Sequence, residues 1–223
     1  MIKAIFYKEW IKTRWIMLLG ALVLFGFSGY ILMNLTRVIG LKGAQHIWEV
    51  MITRDALFIE LLRYIPMIFG VVLGIAQFVP EMTRKCFKLT LHLPFDANRM
   101  TFLMLSYGVV SLFALFASVL ILLGCVMSGF LIAELVRHIL LTALVWFLAG
   151  ILGYLLTAWI VLEPTWKRRI LNAIVGGLLL KVLFIQAPGE AYNGFLPFLT
   201  IYIILSGSLA FLSVYRFKVG KQD

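Results

Sequence analysis

The sequence predicts an all-α polytopic membrane protein: six transmembrane helices with N- and C-termini cytoplasmic, preceded by an interfacial amphipathic helix. Three observations predict it. Of 223 residues, 63% are hydrophobic and only 13% are charged, whereas soluble domains are about half apolar and a quarter charged. Several mostly apolar runs reach about 18 residues or more, enough to cross a bilayer as helices. Basic residues gather at the ends of those runs, where topology signals sit. In lipid the backbone must pair its polar groups within helices or a closed barrel. Barrel strands would alternate apolar and polar over about ten residues; these runs are continuous, so helices remain.

The chain opens with MIKAIFYKEWIKTRW, residues 1–15. Ile2, Phe6 and Trp10 stand four apart, and Lys3, Lys8, Lys12 and Arg14 supply charge. This pattern predicts an interfacial helix with tryptophans at headgroup level. The apolar run that follows is too long for a signal-peptide core and lacks a small-x-small cleavage site, so it reads as a retained first span over about 16–33. Residues 34–57 are mixed in character and read as a loop, with a possible amphipathic helix from Ala44. The second span covers about 58–79, and Glu60 and Arg63 are spaced to pair near its start. Gly70 and Gly74 form a GxxxG, which permits close helix approach between subunits or within one.

Between the second and third spans lies PEMTRKCFKLTLHLPFDANR, residues 80–99. Pro80 suits a first helical turn, and Glu81 suits the positive helix N-terminus. Met82, Cys86, Leu89 and Leu93 then fall on one apolar stripe, with Arg84, Lys85, Lys88 and His92 away from it. Glu81 can pair with Lys85 one turn on. Pro94 ends the helix and Asp96 can cap the next. The segment is therefore a short basic amphipathic helix on the cytoplasmic side. It either lies on lipid headgroups or docks a cytoplasmic partner.

The remaining spans cover about 101–127, 139–162, 170–185 and 198–215 by the same length rule. Ala114 and Ser118 form a small-xxx-small pair in the third. EPTWKRR, residues 163–169, is a compact basic turn anchored by Trp166, and QAPGEAYNGFLP, residues 186–197, is broken by proline and glycine. With the N-terminus inside, basic residues on cytoplasmic segments outnumber those on outer segments about threefold, which fixes the orientation. The net charge of +10 is thus a membrane-topology signal, and nucleic acid is not an expected partner. Nothing suggests a separate soluble domain.

This set of features resembles the ABC-2-type permease subunits of bacterial ABC transporters. FYKEWIKTRW looks like their opening, and EMTRKCFKLTLHLPFDANR looks like their acidic, basic, leucine-rich segment ending in Leu-Pro. The likeness covers nearly the whole chain in layout and about 30 residues in motif. Lys85-Cys86-Phe87 stands where the family often has glycine-threonine. The resemblance implies one permease domain over residues 1–223, multi-pass in the cytoplasmic (inner) membrane, with a second permease subunit of the same or another chain. It implies that 80–99 is a cytoplasmic coupling segment whose helix, 81–93, docks a cytoplasmic ABC ATPase through Glu81, Met82, Arg84, Lys85, Cys86, Lys88, Leu89 and Leu93. The apolar face of that helix meets either the ATPase or the chain's own bundle. ATP and Mg would bind in the partner ATPase, with no cofactor in this chain, and export is the implied direction. A different reading is a non-transporting membrane scaffold or assembly factor that recruits its partner through residues 81–93.

Catalytic signatures are missing from the sequence. There is no G-x-x-x-x-G-K-[ST] phosphate loop, H-E-x-x-H, C-x-x-C or G-x-S-x-G. His46, His92 and His138 fall in separate segments, and Cys86 and Cys125 fall on opposite sides of the membrane, so neither a metal site nor a disulfide is expected. No catalytic residue is assigned, and the chain is not expected to be an enzyme. Lys181 lies well inside a span, roughly 16 Å along the fifth helix. A lysine there is costly unless it snorkels, or faces water or protein. It either reaches the outer face or lines a pathway and meets an anionic group of the substrate.

Overall fold

The structure, a computed structural model, describes residues 2–54, 59–83, 96–185 and 192–219. Among the described residues every regular element is helical. The long helices are α1 (Ile2–Arg54), α2 (Ile65–Thr83), α3 (Ala97–Met127), α4 (Ala133–Leu162), α5 (Trp166–Lys181) and α6 (Leu196–Lys218). Short 3-10 turns at Glu60–Leu62, Val182–Phe184 and Asn193–Phe195 join them. Five of the helices, all but α5, are long and apolar enough to cross a membrane. The chain is therefore an all-α, multi-pass membrane protein.

Several boundaries differ from the sequence reading. The interfacial helix at 1–15, the first span and the start of the loop at 34–57 are one helix, α1. Its 53 residues contain no proline, and glycines alone cost a helix only about 1 kcal/mol each. Polar residues past the apolar run change its solvent, not its hydrogen bonding. The second helix proper starts at Ile65, with Pro66 in its first turn, where the missing N–H removes no bond. Arg63 lays its guanidinium over the Tyr64 ring at 5.4 Å. The polar turn expected at 128–138 shortens to 128–132, because Glu134, Arg137 and His138 already belong to α4.

At the other end, α2 continues through Pro80 to Thr83. Pro80 and Glu81 therefore close the second helix rather than opening a coupling helix. Proline is tolerated inside membrane helices because neighbouring groups re-satisfy the freed carbonyl. Asp96 does cap α3, accepting a hydrogen bond from the Asn98 N–H at 3.3 Å. α5 has 16 residues, so its length is about 24 Å against a hydrocarbon core of about 30 Å. The 3-10 turn Val182–Phe184 extends it. Tyr192 donates from its hydroxyl to the Val182 carbonyl at 2.8 Å, linking the lead-in to α6 to this end of α5.

α4 is the centre of the bundle. It packs against α2, α3, α5 and α6, and 78% of its most apolar stretch is buried, against 22% for α3. A helix apolar on every side has no face to give to water, so burial all round is its stable place. In lipid the hydrophobic effect gives little preference for a protein neighbour over an acyl chain. Helix association rests on close van der Waals fit. Glycines supply that fit between α2 and α4. A Cβ on Gly70 would lie 1.9 Å from the Gly150 carbonyl oxygen, and one on Gly150 would lie 2.6 Å from the Pro66 oxygen. Gly74 faces Thr157 in the same way. The GxxxG of α2 thus packs within the chain, while Ala114 of the other small pair faces outward.

These contacts also set direction. Residue numbers rise together where α2 meets α4 (Gly70 with Gly150, Gly74 with Thr157) and where α4 meets α6 (Leu155 with Gly207, Trp159 with Ser213). They run oppositely where α1 meets α2, α3 meets α4 and α5 meets α4. So α2, α4 and α6 are parallel, and α1, α3 and α5 return. The start of α1 and the ends of α2, α4 and α6 share one end of the bundle.

Candidate functional site

At that shared end, four helices are joined by buried polar side chains. α1 contributes Lys8, Glu9, Lys12 and Thr13, which one helical turn brings to a single face. Glu9 is fully buried. The Lys12 ammonium donates to both its carboxylate oxygens, at 3.0 and 3.2 Å. It also donates to the carboxylate of Glu81 on α2. Lys8 reaches the same Glu81 oxygen at 2.7 Å, with Glu9 at 3.9 Å. Two carboxylates and two ammoniums thus form one cluster between the first turns of α1 and the last turn of α2. The second Glu81 oxygen is buried with no hydrogen-bond partner among the described residues.

Hydroxyl and amide groups carry the connection onward. The Thr13 hydroxyl donates to the Glu9 carbonyl at 2.9 Å and lies 2.8 Å from the Tyr107 hydroxyl on α3. The Phe6 ring meets the Tyr107 ring edge-on, with centroids 5.5 Å apart. One turn before Glu81, the Gln77 amide donates to the Met104 carbonyl at 2.9 Å. Its amide oxygen accepts from the Tyr154 hydroxyl of α4 at 2.8 Å. Gly108 leaves room for the Tyr154 ring, because a Cβ there would fall 2.1 Å from it.

A third buried acid lies at the same end of the bundle. Glu163, at the end of α4, accepts from the Ser213 hydroxyl at 2.7 Å and lies 3.4 Å from Arg216, both on α6. Arg169 donates to the Glu163 carbonyl at 2.8 Å while lying over the Trp166 ring. Glu81 and Glu163 both occupy helix C-termini, where the helix dipole opposes negative charge. Helix propensity therefore does not account for either. Cations from neighbouring helices do, and a buried charge that loses its partner costs about 3–5 kcal/mol.

The structure brings one expected docking residue, Glu81, into this cluster. Met82 is half-buried and packs against the core. Arg84, Lys85, Cys86, Lys88, Leu89 and Leu93 lie outside the described residues. Lys181 is the exposed last residue of α5, at the opposite end of the bundle from Glu81. A cation there favours the negative helix terminus. Lys8, Glu9, Lys12, Gln77, Tyr107, Tyr154 and Glu163 were not singled out as site residues. A signal was present: Glu9 and Glu163 are lone acids within strongly basic stretches. Among the described residues no group of three His, Cys, Asp or Glu side chains could hold a metal ion. What the arrangement can do is mechanical: it ties the final turn of α2 to α1, α3 and α4.

Set against known proteins, the chain matches no family model, no curated protein and no solved structure.

Proposed function

We propose that this chain is the transmembrane permease subunit of an ABC transporter of the bacterial inner membrane. In this reading it has six spans with both termini cytoplasmic, α5 and its 3-10 extension making the fifth crossing. A separate cytoplasmic ATPase binds ATP and Mg and docks on the basic segment that follows α2, whose last turn Glu81 anchors in the bundle. A second permease subunit, identical or different, completes the pathway, and substrate moves outward. The observation that carries the proposal is the Glu81 cluster. A force applied to the segment after Thr83 reaches α1 through Lys8 and Lys12. It reaches the central helix α4 through Gln77 and Tyr154. A surface loop helix would need no such buried anchor. The clustering of Lys3, Lys8, Lys12, Arg99, Arg169 and Arg216 at the same end supports that end as cytoplasmic.

The test is affinity purification from native membranes in mild detergent, with mass spectrometry of co-purifying proteins. A stoichiometric ATPase bearing a phosphate loop, lost when the charges of residues 81–93 are neutralised, is the expected result. In the reconstituted complex, Glu81→Gln should reduce ATP-driven transport at least tenfold while membrane insertion stays normal. Recovery of a partner without a nucleotide site would overturn the proposal and favour a membrane scaffold.

A further inference from the structure

At the shared end of the bundle, a groove of about 950 Å³ opens between α1, α3 and α6. Ile2, Phe102 and Phe211 form its apolar wall, beside Lys3, Asn98 and Arg99. Its volume is at the upper limit of ordinary small-molecule sites, about 300–1,000 Å³. Its walls are unlike those of a site for a water-soluble ligand. Ile2 and Phe102 are 59% and 61% exposed, so the apolar side is open outward. Lys8, Lys12 and Arg216 at this end each hold a buried carboxylate. Lys3 and Arg99 hold none among the described residues. Asp96, the acid nearest Arg99 in sequence, is turned to the Asn98 N–H as the cap of α3.

We propose that this groove binds an anionic phospholipid. Its phosphate sits on Lys3 and Arg99, with Asn98 as a further donor, and an acyl chain runs along Ile2, Phe102 and Phe211. Charge complementarity selects this occupant. Two cations without carboxylate partners among the described residues, beside an apolar wall, match a ligand that is anionic at one end and hydrocarbon at the other. A zwitterionic lipid would bring its own ammonium toward them, and free phosphate would leave the apolar wall unused. Basic residues at a membrane surface add attraction for anionic lipid of roughly fivefold in affinity each. The site does not depend on the permease proposal and stands or falls separately.

Native mass spectrometry of the full chain in detergent tests it, with phosphatidylglycerol and phosphatidylcholine of matched acyl chains as probes. The wild type should prefer phosphatidylglycerol. Lys3→Gln and Arg99→Gln should each weaken that lipid about fivefold and the pair about 25-fold, with phosphatidylcholine unchanged. Lys3→Arg should retain the preference, and Phe102→Ala should weaken both lipids. All three substituted side chains are exposed, and an unchanged melting temperature confirms the fold. A preference that survives in Lys3→Gln/Arg99→Gln overturns the proposal. So does competition by inorganic phosphate at equal concentration, which would make the site one for free anion.

Discussion

One oxygen of Glu81 accepts from two lysines of the same helix, and that sharing decides how substitutions at the cluster behave. Lys12 donates hydrogen bonds to both Glu9 and Glu81, so its loss leaves the buried Glu9 with only Lys8, 3.9 Å away, while Glu81 keeps Lys8 at 2.7 Å; loss of Lys8 leaves both carboxylates on Lys12. Lys12→Met should therefore destabilise by about 3–5 kcal/mol and Lys8→Met by less than about 1 kcal/mol. Thermal unfolding in detergent reads both. In the combination Lys12→Met with Glu9→Gln and Glu81→Gln, no charge is left buried. That triple variant should recover most of the loss; a triple no better than Lys12→Met would show that packing, not charge, holds this end. Little of this was legible in the sequence. Glu9 stands among lysines at a spacing that also suits a solvated helix face. Its burial comes from α2 crossing that face, which is a tertiary fact.

Among the elements, the α2–α4 contact is the tightest. Gly70→Ala places a methyl group where the Gly150 carbonyl oxygen already lies, so the helices must separate. Overpacking of this kind costs about 1–3 kcal/mol or more. Gly177→Ala in α5 meets nothing within 4 Å and should leave stability unchanged or raise it by up to about 1 kcal/mol. The comparison of melting temperatures separates close packing from general glycine effects; equal losses in both would refute the interlock. Helix existence was readable because apolar runs of this length have few alternatives in a membrane. Helix ends were less so. Pro80 read as a start, because proline favours first turns, but α2 passes through it. Polar composition over 34–54 read as a loop, although no proline interrupts the backbone there.

The topology proposed for the whole molecule rests on the alternation of helix directions and on where its cations lie. Cys125 is exposed two residues before the end of α3, at the opposite end of the bundle from Glu81. In intact cells carrying Cys86→Ser, a membrane-impermeant maleimide should therefore label Cys125 without permeabilisation. Labelling only after permeabilisation would invert the orientation. The proposed sidedness rests on charge bias, because loop cations resist crossing the membrane regardless of how the helices later pack. The central position of α4 was not legible. Its apolar run resembles the others, and only the positions of Gly150, Gly153 and Tyr154 against α2 and α3 distinguish it.

The burial of α4 also bears on the order in which the protein is made. Helices enter the membrane from the N-terminus onward, so α4 is in lipid before α6 exists. Because it is apolar on all sides, it can wait there at little cost, and its glycine contacts with α2 can form at once. Its terminal acid is different. Ser213 and Arg216, the side chains that hold the Glu163 carboxylate from α6, are synthesised some 50 residues later. The nascent chain thus carries an incompletely paired acid until its last helix arrives. Shortened chains ending before Ser213 would expose that acid to the machinery that removes unassembled membrane proteins, and completion of α6 would be what releases the protein from that surveillance.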